Sequence, residues 1–240
     1  MYLSVIIPAY NEEKRITKTL REIDKYLKTQ SFEYEILMVD DGSKDNTVKT
    51  TESLVSDIKN LKVLTYGKNR GKGYAVKYGL LAATGKYRLF TDADNSTSID
   101  QVEKMWPWFN KGFDIVLGSR DVKGAVLDPP QPWLRNIILG KGFKIFRKLV
   151  IDLWFVEDTQ CGFKCFSEKV TSEILPKCRI DRFAFDPEIL ILAKKAGYKI
   201  KEIPVYWKND SDSKVKPISI LNMALDLFRI RWNLLSGKYK

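Results

Sequence analysis

Histidine is missing altogether from these 240 residues. Its absence removes Ser-His-Asp and Cys-His nucleophile relays, zinc-peptidase helices and imidazole metal ligands at once. Any acid, base or metal chemistry therefore falls to carboxylates. Cysteine is scarce, and Cys161, Cys165 and Cys178 are odd in number and lack paired zinc spacing, so they read as reduced thiols. With aromatic neighbours and no imidazole to activate them, Cys161 and Cys165 are expected to be small buried residues and not nucleophiles. Long apolar runs are lacking too. The longest stretch free of charge, Met1 to Asn11, is far shorter than the roughly 20 residues that span a bilayer and carries no basic leader. The expectation is a cytosolic chain, neither spanning a membrane nor exported.

What is present is a globular composition. Hydrophobic residues make up 44% and aromatics 12%, beside 30% charged, enough apolar surface to offset chain entropy and exclude a largely disordered protein. No repeat, low-complexity tract or separating linker interrupts 1–240, which reads as one domain. Forty-one Lys plus Arg against thirty Asp plus Glu leaves +11, a balance suited to an anionic partner. The excess is +3 in residues 1–120 and +8 in 121–240, so an extended anion is expected to meet the second half.

Short apolar runs alternate with helical patterns in the first half, the layout of a mostly parallel sheet flanked by helices. Leu3 to Pro8, Tyr34 to Val39, Leu61 to Tyr66, Tyr87 to Thr91 and Phe113 to Leu117 read as buried strands. Ile16, Leu20, Ile23 and Leu27 form one helical stripe behind a cap at Asn11. Val48, Thr51, Val55 and Ile58 form a weaker stripe, and Gly73 to Thr84 a third helix. Beyond Arg120 a Pro-rich loop leads to a helical stretch at Trp133 to Phe155. A strand near Gln160 to Phe166 and helices at Glu168 to Leu175 and Pro187 to Ala196 follow. Next come a strand at Ile200 to Trp207, a polar loop Lys208 to Lys216 and a final helix Ile218 to Leu235.

Ligands of an open parallel sheet bind beyond the carboxyl ends of its strands. Four polar clusters fall there: Pro8 to Glu12, Asp40 to Ser43, Asp92 to Asp94, and Arg120. Asp92 and Asp94 are spaced to approach one hard cation such as Mg²⁺ or Mn²⁺, which would bridge a nucleotide diphosphate and stabilise its departure. The same pair also suits a capped turn with two solvated carboxylates. Gly71, Lys72 and Gly73 suit a basic loop that approaches phosphate, or a flexible connector, and their spacing is not that of a P-loop.

Together, Val5 to Glu12, Asp40 to Ser43, Asn69 with Gly71 and Gly73, and Asp92 to Asp94 resemble the inverting glycosyltransferases of family 2, whose nucleotide-binding fold is called GT-A. Asp158 to Lys164, Arg182 to Glu188, and Trp207 with Ser213, Lys214 and Pro217 are similar to the dolichyl-phosphate glucosyltransferases within it. The resemblance implies a nucleotide-binding half at 1–94, an acceptor-side half at 95–217 and a C-terminal interface helix at 218–240. It assigns the nucleoside to Pro8, Tyr10, Glu12 and Asp41, with Ala93 and Lys72 also on the donor, and the metal to Asp92 and Asp94. Arg120 and Arg135 would grip the acceptor phosphate, Gln160 and Asp186 would line the sugar pocket, and Lys214 would reach the donor diphosphate. Asp94, Arg120, Gln160 and Asp186 form the implied catalytic set. Two departures from the mannosyl relatives, Ser96 in place of an amide and only Lys208 for a late basic residue, favour the glucosyl branch.

A phosphate acceptor needs no base, because a phosphate monoester with a second pKa of about 6 is already largely dianionic near neutrality. Trp133, Leu134, Ile137, Ile138, Phe146 and Trp154 interleave with Arg135, Lys141, Lys144 and Lys148, and the final helix repeats the theme. Such stretches suit a bilayer interface, or else core helices or a dimer contact. The expectation is UDP-glucose as donor and dolichyl or polyprenyl phosphate as acceptor at the cytosolic membrane face, with homo-oligomers open. GDP-mannose as donor is one alternative. Transfer to a glycan or protein hydroxyl, with Asp158 or Asp186 as base, is another. A nucleic-acid binder has little support without stacking motifs or an Arg-rich arm, and an inactive sugar-nucleotide binder stays open.

Overall fold

The apolar runs become strands because they are short, rich in β-branched and aromatic residues, and covered on both faces. The computed structural model describes residues 1–129, 142–208 and 217–239. Its strands are β1 (Leu3–Ala9), β2 (Tyr34–Asp40), β3 (Leu61–Thr65), β4 (Tyr87–Thr91), β5 (Ile115–Ser119), β6 (Val126–Asp128), β7 (Phe163–Ser167), β8 (Ile200–Pro204) and β9 (Tyr206–Lys208). Seven of them form one sheet in the order β3-β2-β1-β4-β7-β5-β8, while β6 and β9 pair separately. Neighbours in the large sheet are parallel except β7, which runs antiparallel to both β4 and β5.

The helices are α1 (Ile16–Leu27), α2 (Thr47–Glu52), α3 (Lys72–Ala82), α4 (Trp106–Asn110), α5 (Gly142–Ile151), α6 (Glu168–Ile174), α7 (Phe185–Lys195) and α8 (Pro217–Leu235). Strand side chains alternate between faces, and two cores result. Val5, Ile7, Ile36 and Met38 meet the stripe of α1, whereas Ile6, Leu37, Val39 and Phe90 meet α3 and α7.

Several expectations are corrected. Asn11 does not cap α1, which begins only at Ile16 after Arg15. Asn11 instead takes a left-handed φ of 54°. Its N–H donates to Ser43 Oγ at 2.9 Å and its Oδ1 accepts from the Lys44 N–H at 2.8 Å, tying the loop after β1 to the loop after β2. The second helix stops at Glu52 and continues as turns that bury Leu54 and Ile58 and leave Val55 exposed. Strand β5 lies two residues later than its apolar run, taking in Gly118 and Ser119. The run from Ile200 to Trp207 breaks at Val205, whose N–H still donates to Ser119 O of β5 at 3.3 Å while its carbonyl accepts from the Val126 N–H at 3.0 Å, so the chain passes there from the large sheet to the β6–β9 pair. Of the helix expected at Trp133 to Phe155, Gly142–Ile151 is helical and Asp152, at φ 57°, follows its end. Trp133, Leu134, Arg135, Ile137, Ile138 and Lys141 lie outside the described residues, as do Ser213 and Lys214.

Candidate active site

Strand β1 lies between β2 and β4, so the winding reverses there and a crevice opens beyond the carboxyl ends. The residues ending β1 and β2 are joined across it, with the Asp41 N–H donating to Ala9 O at 2.8 Å. Pro8 and Tyr10 are half-buried and Glu12 is buried. Glu12 pairs with Arg15, and its N–H donates to Thr47 Oγ1 at 2.7 Å. Ala93 is buried, its carbonyl accepting from Thr19 Oγ1 at 2.7 Å.

Asp41 is buried with both oxygens engaged. Oδ1 accepts from the Tyr66 hydroxyl at 2.8 Å and the Arg70 N–H at 2.7 Å, and Oδ2 accepts from the Gly71 N–H at 3.0 Å. The carboxylate thus shapes the loop that delivers Lys72 to the start of α3. Gly71 is required at this turn: φ is +107°, and a Cβ would stand 2.5 Å from Asp181 O.

Asp92 and Asp94 come together at the end of β4. Lys72 Nζ lies 2.7 Å from Asp92 Oδ1, and Asp94 Oδ1 accepts from the Ser96 N–H at 2.9 Å. Burial, reinforced by the Asp92 charge, raises the Asp94 carboxyl above the ordinary carboxylate range. The Asp92 N–H donates to Gly162 O at 3.1 Å. A Cβ at Gly162 would fall 2.0 Å from Asp92 Oδ2, so a larger residue there would push this carboxylate from its position.

Asp186, in the first turn of α7, faces the same centre from the opposite half of the sequence. Lys164 Nζ lies 2.6 Å from its Oδ1. Burial lifts Asp186 to about 6, with the Lys164 charge pulling the other way. Lys72 and Lys164 each stand 5.4 Å from the Phe90 ring centroid. Lys164 is only 1% exposed and also donates to Cys161 O at 2.5 Å. The sequence reading gave this lysine no role; the available signal was a cation inside the apolar strand Phe163–Ser167, which needs a partner in a core. Among the described residues no group of three or more His, Cys, Asp or Glu converges on one point.

On the far side, Arg120 at the end of β5 donates from Nε to Asp158 Oδ2 at 2.7 Å and from Nη2 to Oδ1 at 3.0 Å. Its own N–H reaches Oδ2 at 3.1 Å. The guanidinium stands 5.3 Å from the Trp207 ring centroid. Asp158 is 4% exposed, and although burial opposes ionisation, Arg120 holds its carboxyl far below the usual range. Gln160 is half-buried nearby, its N–H donating to Asp158 Oδ1 at 2.9 Å. Arg135 and Lys214 lie outside the described residues. Cys161, Cys165 and Cys178 are buried free thiols; burial raises all three, Cys161 to about 12.

Residues 4–172 match the family described as Glycosyl transferase family 2. The chain is 41% identical over 253 residues to a dolichyl-phosphate beta-glucosyltransferase of Dictyostelium discoideum, covering 100% of this chain and 77% of that one. Against the Homo sapiens protein of the same description the identity is 35% over 260 residues, covering 99% and 77%. A crystal structure of glucosyl-3-phosphoglycerate synthase from Mycobacterium tuberculosis with Mn²⁺, uridine diphosphate and phosphoglyceric acid superposes with a TM-score of 0.64 at 18% identity, covering 99% of this chain and 78% of that one. At that identity the likeness is one of fold. A matching profile over most of its length, relatives that span it end to end, and a mixed sheet with its acidic pair at the winding reversal make this chain a member of glycosyl transferase family 2 on the GT-A fold.

Proposed function

We propose that the protein transfers glucose from UDP-glucose to dolichyl or polyprenyl phosphate with inversion. What supports the glucosyl and dolichyl-phosphate parts of this reading is that relatives spanning this chain are described as dolichyl-phosphate beta-glucosyltransferases. The geometric observation that favours a phosphate acceptor over a hydroxyl is the Arg120–Asp158 pair. A hydroxyl acceptor would need a carboxylate base, and Asp158 has both oxygens committed to Arg120 while Asp186 is paired with Lys164. A phosphate dianion instead needs cations that bring it to the anomeric carbon opposite the departing diphosphate. Arg120 is one such cation, and the resemblance supplies Arg135 as another.

In this reading Pro8, Tyr10, Glu12 and Asp41 border the nucleoside, Lys72 and Lys214 serve the diphosphate, and Gln160 and Asp186 border the hexose. Asp92 and Asp94 are the residues that would hold Mg²⁺ or Mn²⁺. The donor set fits: two oxygen ligands suit a hard cation that completes its shell with substrate phosphate and water, and the Lys72 ammonium on Asp92 marks a place where positive charge is stabilised. The bound cation would neutralise charge growing on the diphosphate as it leaves.

A lipid-linked acceptor also accounts for apolar surface that the core does not use. Leu221, Leu225, Phe228, Trp232 and Leu235 of α8 and Ile145 and Leu149 of α5 are each more than half exposed. We place this face, with the exposed Arg229 and Arg231, on an anionic membrane surface. Among the described residues no helix is long and apolar enough to cross a membrane.

The test is to incubate purified protein with Mn²⁺, polyprenyl phosphate and radiolabelled UDP-glucose or GDP-mannose, then extract with organic solvent. Label in the organic phase from UDP-glucose is the expected result. Label from GDP-mannose alone would reassign the donor, and transfer only to a water-soluble hydroxyl acceptor would overturn the reading.

A further inference from the structure

Two lysine–carboxylate pairs, Lys72 with Asp92 and Lys164 with Asp186, lie near the end of β4, and the two lysines differ in freedom. Lys164 is sealed in the sheet, held by Asp186 and by Cys161 O. Lys72 is 28% exposed on its side chain and forms an ion pair at the cleft with Asp92 Oδ1 at 2.7 Å, beside the Phe90 ring. Its backbone is fixed from two directions: Asp41 Oδ2 accepts the preceding Gly71 N–H at 3.0 Å, and the Tyr74 N–H donates to Asp181 O at 3.0 Å. Any movement of this charge therefore takes place in the four-carbon side chain, with the start of α3 as a fixed anchor.

We propose that Lys72 is a tethered counter-ion: it occupies the donor carboxylates while no divalent cation is there, and passes to the donor diphosphate when cation and nucleotide enter together. The inference rests on the reading of this cleft as a nucleotide-diphosphate site. Charge balance drives the exchange. With Lys72 and Lys164 in place, Asp92, Asp94 and Asp186 leave one negative charge unmatched. A divalent ion on Asp92 and Asp94 makes the Lys72 ammonium surplus and repels it, and the only new anion within reach is the diphosphate that accompanies the ion. The N-terminal N–H groups of α3, beside which Lys72 sits, favour the same anion. The lysine thus competes with free cation and cooperates with cation-bound nucleotide, which couples the two ligands thermodynamically. A site of this kind resists filling by metal alone.

Mn²⁺ binding, followed by loss of the free-ion paramagnetic resonance signal without nucleotide, tests this directly. Lys72→Met is expected to bind Mn²⁺ alone about tenfold more tightly than wild type, the scale of one charge-assisted hydrogen bond. The same variant should bind UDP in the presence of Mn²⁺ more weakly, so that the tightening of Mn²⁺ binding by UDP shrinks. Lys72→Arg, which keeps the charge, should stay near wild type for Mn²⁺ alone. Lys72→Gln repeats the measurement should the methionine variant fail to fold. If neutral variants bind Mn²⁺ alone no more tightly than wild type while wild type binds UDP with Mn²⁺, the counter-ion role is overturned and the donor site stands. If wild type binds no UDP even with Mn²⁺, the donor-site reading falls and the proposal with it.

Discussion

Asp158 owes its ionised state to one neighbour. A carboxylate this buried is stable only because Arg120 meets both oxygens and two backbone N–H groups join in. Its folded pKa lies below the unfolded one, so the pair contributes stability that is complete above the ordinary carboxylate range and is lost as pH falls below it. Asp158→Asn is expected to destabilise the fold by about 3 kcal/mol at neutral pH, because it leaves the half-buried Arg120 guanidinium without its anion. It should also flatten the acid limb of the stability curve, measured by urea denaturation at several pH values. Transfer to the acceptor should fall about a hundredfold or more while UDP affinity changes less than threefold, as a displaced Arg120 harms positioning and not the donor site. A loss of UDP affinity instead would place the pair on the donor side. At this scale the sequence exposed Asp92, Asp94 and Arg120 because they end strands. It did not expose Lys164 as a site residue or Asp158 as the mate of Arg120, since those partners come from distant segments.

Helix α8 has two apolar faces. Met223, Leu227 and Ile230 are buried in the molecule, and Leu221, Leu225, Phe228, Trp232 and Leu235 recur every three or four residues on the outside. The outer stripe meets α5 at the Phe146 and Phe228 rings, 5.5 Å apart between centroids. Lys148 and Lys194 flank the exposed Trp154 and Phe155. The inner side of α5 is tied to the segment before β7: buried Arg147 donates from Nη2 to Val156 O at 2.7 Å, and Lys144 and Lys148 pair with Glu157. Replacing Leu225, Phe228 and Trp232 together by Ser should cut binding to vesicles of anionic phospholipid by about a hundredfold or more, since each is a little over half exposed and so gains about half of the roughly 1.5–3 kcal/mol that full burial of a large apolar side chain is worth. The melting temperature should hold within a few degrees, since none of the three is core. Intact vesicle binding combined with loss of a dimer in sedimentation would reassign the face to a second copy. The sequence marked α8 as amphipathic, but its second apolar stripe, Met223, Leu227 and Ile230, and the side the core would take were not legible. A helix carries no label for its inward side until its neighbours are placed.

Across the whole molecule, β7 joins distant parts of the sequence. It comes from the second half of the chain yet pairs with β4 on one edge and β5 on the other, both from the first half. Residues that bear the acidic pair and residues that bear Lys164 and Gly162 thus share adjacent strands. Unfolding followed by circular dichroism and by tryptophan fluorescence should therefore coincide in one transition, and Mn²⁺ with UDP should raise its midpoint more than either alone. Two separated transitions would show that the halves fold independently. The amino-acid sequence by itself determined the alternating strands and helices, the carboxyl-end motifs and the reliance on carboxylates, because periodicity and residue chemistry are local properties. Only the tertiary structure decided that β7 runs antiparallel, that Lys72 and Lys164 pair with Asp92 and Asp186, and that Arg120 is held by Asp158. Each depends on which distant segments pack side by side, and burial is what turns such a neighbour into a strong electrostatic partner.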